Sequence, residues 1–455
     1  MADWAVLRAR IDGELILPGT PGYDAVRRPA IARFRDVRPA AVVRCATPAD
    51  VAETLSYARR SDLRVAVRSG GHCFAGRSST EGIVLDVTPM SSVAVHEGTV
   101  TVGAGTRLGD LYDALAGHGV TIPAGCGPTV GIAGLTLGGG LGVLGRAYGL
   151  TCDRLRSAHV VLRDGRMVGC DELRDAELFW ALRGGGNGTV GVVTSLEFAT
   201  VPAPASTAFH LTWPYSAAAA VIEAWQAWSP DAPDELAASL LISAAADTAR
   251  APVISMFGAM AGAEAACRTA LNELAARVGS APASAAFRQG SHRQVKRYLS
   301  TLDVHGDGPD PDGAPAEDDG HAYSKSEFFA RALPADAVAA LVDHLTRDRM
   351  PGQSRELDFT PWGGAYNRVP VDATAFPHRT ARFLLKQAIV VDAGASAAGR
   401  QAAARWLARS WELVHPWGTG GVYPNFPDPD LPDPDAAYYG TNLARLREVM
   451  ETYGP

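Results

Sequence analysis

The chain has 455 residues, 47% of them hydrophobic and 20% charged, an ordinary globular composition with room for two or three buried cores. A formal net charge of -7, with Lys and Arg scattered along the chain, excludes the basic footprint of a nucleic-acid binder or of a protein held on an anionic membrane. No run approaches the roughly 20 apolar residues of a membrane span. The start, Met1-Ala2-Asp3-Trp4, carries charge where a signal peptide needs its apolar core, and the six cysteines form no CxxC pair, so the expectation is a cytoplasmic protein without disulfide framework or metal site.

Pro39 to Val87 reads as β-α-β, with apolar runs Ala41–Val43, Val65–Val67 and Ile83–Leu85 as strands and a helix from Thr47, whose hydroxyl caps the turn opened by Pro48 and Asp50. The second strand ends in Arg68-Ser69-Gly70-Gly71-His72-Cys73-Phe74-Ala75-Gly76. Paired glycines there leave two alternatives open: a tight turn with a solvent-facing histidine, or consecutive N–H groups cradling an anion beside an imidazole. A strand at Thr99–Val102 and a helix over Leu108–Leu115 complete a small α+β lobe.

From Gly125 to Gly142 there are eight glycines in eighteen positions, enough to let main chain lie directly against a flat or elongated ligand. Gly140-Leu141-Gly142-Val143-Leu144-Gly145 matches GxGxxG, but the run Gly138-Gly139-Gly140 stands where a dinucleotide fold needs a strand, and Asp164 is misplaced for the ribose acid. A hairpin follows, Ala158–Leu162 and Met167–Val168 about an Asp164-Gly165 turn, then the cluster Gly184–Gly188 and a strand Val190–Phe198. Beyond Pro202, helices at 217–228, 261–278 and 334–346 alternate with apolar runs and suggest a second domain closing over the first. Two acidic, proline-rich stretches, Asp303–Asp319 and Pro427–Asp435, are expected as loops, the first disordered. Glu356, Asp358 and Thr360 alternate along a strand before Gly363-Gly364 and share one face.

The loop Arg68–Gly76, the glycine element with Arg146, Gly149 and Asp153 after it, Phe179-Trp180-Ala181-Leu182-Arg183-Gly184, Tyr423-Pro424-Asn425-Phe426 and Tyr438-Tyr439-Gly440-Thr441-Asn442 together resemble the FAD-linked oxidases of the berberine bridge enzyme type. The resemblance implies an α+β fold: a two-lobed FAD-binding domain of the p-cresol methylhydroxylase type, and a substrate domain with an antiparallel sheet covered by helices. The expected division is 1–202 for the FAD domain, 203–405 for the substrate domain and 406–455 for a return to the first.

The resemblance also implies site residues. His72 would join the flavin's 8α-methyl carbon, with Ser69, Gly70 and Gly71 on the pyrophosphate. Arg68, Cys73, Gly76, Gly127, Thr129, Val130, Gly131, Gly134, Leu135, Gly138, Gly139, Gly140, Gly142, Asp153, Gly188 and Val192 would line the cofactor. Relatives carry a second attachment on a cysteine directly before Pro-x-Val-Gly; that slot is Gly127 here and Cys126 lies one residue earlier, so one or two bonds to the flavin stay open. Tyr423 would take a proton, a role that needs its phenol pKa lowered from about 10, with Asn425 as companion and Glu356 and Asp358 binding substrate or assisting. His378 and Arg379 would brace the domain interface.

The activity implied is an FAD-dependent oxidase removing hydride from a C–H next to O or N of a sugar, a glycosylated natural product or an alkaloid-like amine, with O2 as oxidant and H2O2 as product. Alternatives are a flavin-dependent oxygenase or oxidative cyclase, or a protein sequestering a planar drug in the flavin pocket. The expected partners are a small-molecule substrate and O2, in a monomer or homodimer.

Overall fold

The computed structural model describes residues 3–186, 190–302 and 320–454; Gly188 and the acidic stretch Asp303–Asp319 lie outside the described residues. In chain order, β1 (Glu14–Ile16), β2 (Ala41–Arg44), α1 (Pro48–Arg60), β3 (Val65–Arg68) and β4 (Ile83–Asp86) build the first lobe. The sheet order is β1-β2-β4-β3, with β4 parallel to both β2 and β3. A central parallel strand is covered on both faces, which is why Ile83–Leu85 reads as an unbroken apolar run and all of β4 is buried. Thr47 and Asp50 form the reciprocal cap of α1.

The second lobe is a five-stranded sheet of β5 (Val93–His96), β6 (Thr99–Gly103), β7 (Leu155–Val161), β8 (Met167–Asp171) and β9 (Val192–Ala199), in the order β5-β6-β9-β7-β8, with helices α2 (Leu108–Ala116) and α3 (Ala176–Leu182). The glycine element runs between the two lobes and shares their core.

A seven-stranded antiparallel sheet follows: β10 (Ser206–Trp213), β11 (Leu236–Ala244), β12 (Val253–Ala261), β13 (Ser284–Gly290), β14 (His321–Phe329), β15 (Gln353–Pro361) and β16 (Phe383–Val391), ordered β13-β10-β12-β11-β15-β16-β14. One face carries Phe209, Leu240, Met256, Leu357 and Phe359 into a core with α4 (Ala218–Trp228), α5 (Glu264–Val278), α7 (Ala335–Thr346) and α8 (Ala397–Glu412). By the two-residue alternation of a strand, Glu356 and Asp358 point out of the opposite face. On that face α6 (His292–Ser300) packs Val295 against Ala208 and Ala259. The chain then returns: α9 (Leu443–Tyr453) lies against α3, with Leu446 and Val449 in the first core and Arg445 paired to Glu177 at 2.6 Å.

Buried cations stitch the roof sheet to the lobes below. Arg146 donates to the carbonyls of Pro230 (3.1 Å), Ala232 (2.6 Å) and Trp362. Arg379, with 1% of its side chain exposed, pairs with Asp153 through two bonds of 2.7 and 2.9 Å. Lys296 of α6 donates to Tyr112 Oη (3.0 Å) and to the carbonyls of Ala124 and Gly125 (3.0 Å for the latter). His378 bonds the Tyr438 carbonyl at 3.1 Å, and burial pushes its pKa down to about 4, so it braces the seam as a neutral ring. Between roof and lobes lies a separate apolar cluster of Leu150, Cys152, Phe328, Trp362, Tyr366, Phe376, Ala381, Leu384 and Tyr423.

Among the described residues no helix is long and apolar enough to cross a membrane, no group of three or more His, Cys, Asp or Glu side chains has metal-binding geometry, and all six cysteines are free. Removing one partner of a buried ion pair strands the other charge. Asp153→Ala is therefore expected to lower unfolding free energy by about 3 kcal/mol or more, measured by denaturant unfolding at pH 7.

Candidate active site

The loop after β3 is built around two close main-chain approaches. A Cβ on Gly70 would collide with the backbone at Thr129, Val130 and Gly131, and one on Gly131 would collide with Ser69 Oγ and the Gly70 amide. Loop and glycine element therefore touch backbone to backbone, and His72 reaches Thr129 with Nε2 2.9 Å from Oγ1. Burial and the nearby Arg107 charge lower the His72 pKa, leaving a neutral imidazole at pH 7. Gly71 adopts a left-handed φ of 75°, and the amides of Gly70, Gly71 and His72 meet no acceptor among the described residues. Consecutive N–H groups left over in such a turn form a nest for an anion, and Gly134 opens on space where a Cβ would meet nothing within 4 Å. These features fit a phosphate-bearing cofactor laid along the element.

Several residues expected as cofactor contacts have side chains engaged by the protein. The Arg68 guanidinium is buried and donates to Ser78 O (3.0 Å), Val26 O (2.8 Å) and Ser79 Oγ (3.1 Å), holding the loop from beneath. Ser69 Oγ donates to Ala104 O at 2.9 Å. The Asp153 carboxylate is taken up by Arg379 and the Leu150 amide and braces the wall behind the glycine element. Most of the glycines back onto protein: Cβ atoms at Gly138, Gly139, Gly140 and Gly142 would run into Asn425, Phe376, Thr151 and Ala124, and one at Gly76 into Phe34. Val192 is buried in the ladder opposite Val161. Gly127 and Thr129 are exposed and Cys73, Cys126, Val130 and Leu135 half-buried. The Leu135 carbonyl accepts from Asn425 Nδ2 at 2.8 Å.

Tyr423 stands at the seam. Its ring is 1% exposed and is met edge-on by Phe328, Trp362, Phe376 and Phe426, with centroids 5.0–6.3 Å away. Its Oη accepts three N–H groups, from Gly140 (3.0 Å), Leu141 (3.0 Å) and Asn425 Nδ2 (3.1 Å). Three donors converging on one oxygen favour a negative charge there. Burial is the larger influence and pushes the phenol pKa up to about 12 against those donors. The lowered pKa expected for this tyrosine is thus absent from the protein alone.

On the roof, Asp358 lies directly opposite Lys386 in the β15–β16 ladder, with Nζ 3.2 Å from Oδ2. Burial works against the lysine charge, but Asp358 and Glu356 together outweigh it and raise its pKa. Lys386 Nζ also sits 5.4 Å from the Phe426 ring centre, and that ring touches Tyr423. Glu356, Asp358, Lys386, Phe426, Tyr423 and Asn425 therefore form one connected group. Lys386 is the member that sequence reasoning missed: the signal would have been the register of β16 on β15, which places it across from Asp358. Lys296 was missed as well, since a lysine on a surface-like helix gives no hint that it reaches the glycine element.

The sequence pattern of FAD binding domains matches residues 39–171, and that described as berberine and berberine like matches residues 422–455. The chain is 30% identical over 452 residues to an uncharacterised FAD-linked oxidoreductase of Bacillus subtilis, YvdP, covering 98% of this chain and 96% of the relative. It belongs to the berberine bridge enzyme-like FAD-linked oxidoreductases. Its relatives include a chitooligosaccharide oxidase from Gibberella zeae, 28% identical over 439 residues with 92% and 85% coverage of the two chains. The fold is that of wild-type Physcomitrella patens BBE-like 1, with a TM-score of 0.85, 24% identity and coverage of 99% and 96%. Like other berberine bridge enzyme-like proteins, the chain uses FAD.

The backbone contact at Gly131 generates a prediction. Gly131→Ala forces the His72 loop off the glycine element, and the purified variant is expected to carry less than half the flavin of the unmodified protein at equal concentration. The ratio of flavin to protein absorbance measures this.

Proposed function

We propose that this protein is an oxidase that removes hydride from a C–H bond next to a hydroxyl or amine of a small metabolite, with FAD held through His72 and H2O2 as product. In this reading residues 1–202 and 406–455 hold the cofactor and 203–405 form the roof over it. When bound, FAD supplies the hydride acceptor and passes electrons to O2. The observation that carries the proposal is the Tyr423 oxygen inside three N–H donors, one ring contact from the Asp358–Lys386 pair.

Tyr423 accepts the substrate's hydroxyl or ammonium proton, and the amides of Gly140 and Leu141 with Asn425 hold the phenolate charge while it exists. Asp358 and Glu356 take hydrogen bonds from neighbouring substrate hydroxyls or from an amine, and Lys386 pairs with Asp358 across the ladder. The aromatic walls exclude water, so the proton goes to Tyr423 rather than to solvent. Covalent attachment needs a neutral imidazole, and burial with the nearby Arg107 charge holds the His72 pKa down. The name of the chitooligosaccharide oxidase relative supports sugars as the first substrate class to test.

Four measurements test the proposal. Acid denaturation is expected to leave flavin on the unmodified and Cys126→Ala proteins and to free it from His72→Ala; retention in His72→Ala would place a second bond at Cys126. Peroxide release and anaerobic flavin bleaching against chito- and xylo-oligosaccharides, cellobiose and cyclic amines identify the substrate. Saturable binding of all of these with no bleaching would end the oxidase reading. Tyr423→Phe is expected to lower kcat/KM by at least about a hundredfold, the range of a positioned general base. Because Tyr423 acts only when ionised and its pKa lies at about 12, the active fraction grows with pH, and kcat/KM should rise without levelling between pH about 7 and about 10.

A further inference from the structure

Glu327, on the edge strand β14, is 1% exposed yet carries a carboxylate. Its Oε1 accepts the Gly420 amide at 2.8 Å, and both oxygens lie 3.0–3.1 Å from His415 Nδ1. His415 in turn stacks on Trp411 with centroids 3.9 Å apart. One carboxylate thus gathers the end of α8, the turn that follows it, and the segment leading to Tyr423. The turn is shaped to the carboxylate: Gly420 has a left-handed φ of 76°, and a Cβ on Gly418 would collide with Glu327 Oε1.

The next residue of β14 continues the grip. Phe328 N–H donates to Gly421 O at 2.9 Å, its carbonyl accepts from Thr419 N and Oγ1 at 2.9 Å, and its ring meets Tyr423 edge-on at 6.3 Å. Two residues after Gly421 comes Tyr423, whose other side is pinned by Asn425 to Leu135 O. The tyrosine is therefore clamped from both flanks, and the grip on its N-terminal flank ends in Glu327.

We propose that Glu327 is a positioning residue for Tyr423: its carboxylate fixes the 418–421 turn and so sets where the Tyr423 oxygen sits relative to the bond being broken. As a carboxylate, Glu327 accepts the Gly420 N–H at Oε1 and can accept a protonated His415 Nδ1 at either oxygen. In Glu327→Gln the amide oxygen can still take the Gly420 N–H, but the NH2 opposite it only donates, so the contact with His415 survives only where Nδ1 gives up its proton. This inference rests on Tyr423 as proton acceptor.

The test compares Glu327→Gln, Tyr423→Phe and the double variant, all as flavin-loaded protein, using whichever sugar or amine of the panel above bleaches the flavin fastest. Glu327→Gln is expected to lower kcat roughly tenfold or more, the scale of a displaced reacting group, with KM within about twofold. In the Tyr423→Phe background the same change is expected to have no further effect. Additive losses in the double variant, or an unchanged kcat in Glu327→Gln, overturn the proposal. A Tyr423→Phe variant as active as the unmodified protein overturns the proton-acceptor reading and the positioning role together, a result distinct from the first two. Amide hydrogen exchange provides an arm that needs no substrate: Glu327→Gln should speed exchange in peptides covering 418–426 and leave those covering the His72 loop unchanged. Native exchange rates at 418–426 overturn the clamp whatever the activity.

Discussion

The backbone contact between Gly70 and Gly131 is the constraint on which the rest of the site depends. Two loops from different parts of the sequence can meet at that separation only where neither carries a side chain. That contact points His72 at Thr129, leaves three amides without protein acceptors among the described residues, and sets the path of the glycine element toward Gly138–Leu141, whose amides then reach Tyr423. The glycines let main chain pack on protein at distances that a Cβ would forbid, at positions 70, 131, 138, 140 and 142 alike.

The seam above that contact is held in an uncommon way. Arg146 and Lys296 are buried cations whose hydrogen bonds end on main-chain carbonyls and a tyrosine, while Arg379 has a carboxylate partner in Asp153. Burial lowers the pKa of both Arg146 and Lys296. A carbonyl cannot move without its chain, so cations bonded to carbonyls tie strands and loops rather than side-chain tips. The aromatic cluster around Tyr423 sits inside this frame, and main chain satisfies its polar edges: Trp362 Nε1 donates to His378 O and Tyr366 Oη to Gly142 O, each at 3.1 Å.

Much of the fold was legible in the sequence because the devices are local. The parallel strands showed as unbroken apolar runs, α1 by its cap, the hairpin by Asp164-Gly165, and the acidic face of β15 by strict alternation of Glu356, Asp358 and Thr360. What stayed illegible was set by partners distant in sequence. Main-chain amides at Gly140 and Leu141 have no side-chain signature, so the cage around Tyr423 could not be read, nor the rise in its pKa that burial brings. Lys386 gains its place only through the register of two strands. Arg68 and Asp153 show a different limit: a motif residue marks a location, and the structure alone tells whether it faces the ligand or braces the wall behind it.

The cradle at Gly70–His72 and the buried Tyr423 lie far apart along the chain, which separates them in time as well as in sequence. A polypeptide still emerging from the ribosome holds both cradle loops before it has either the roof sheet or the segment that carries Tyr423. The end of the chain then docks as α9 on α3, where Arg445 pairs with Glu177. The segment that carries Tyr423 is thus the last part of the site to be made, and a chain cut short before it keeps every cradle residue while lacking the tyrosine.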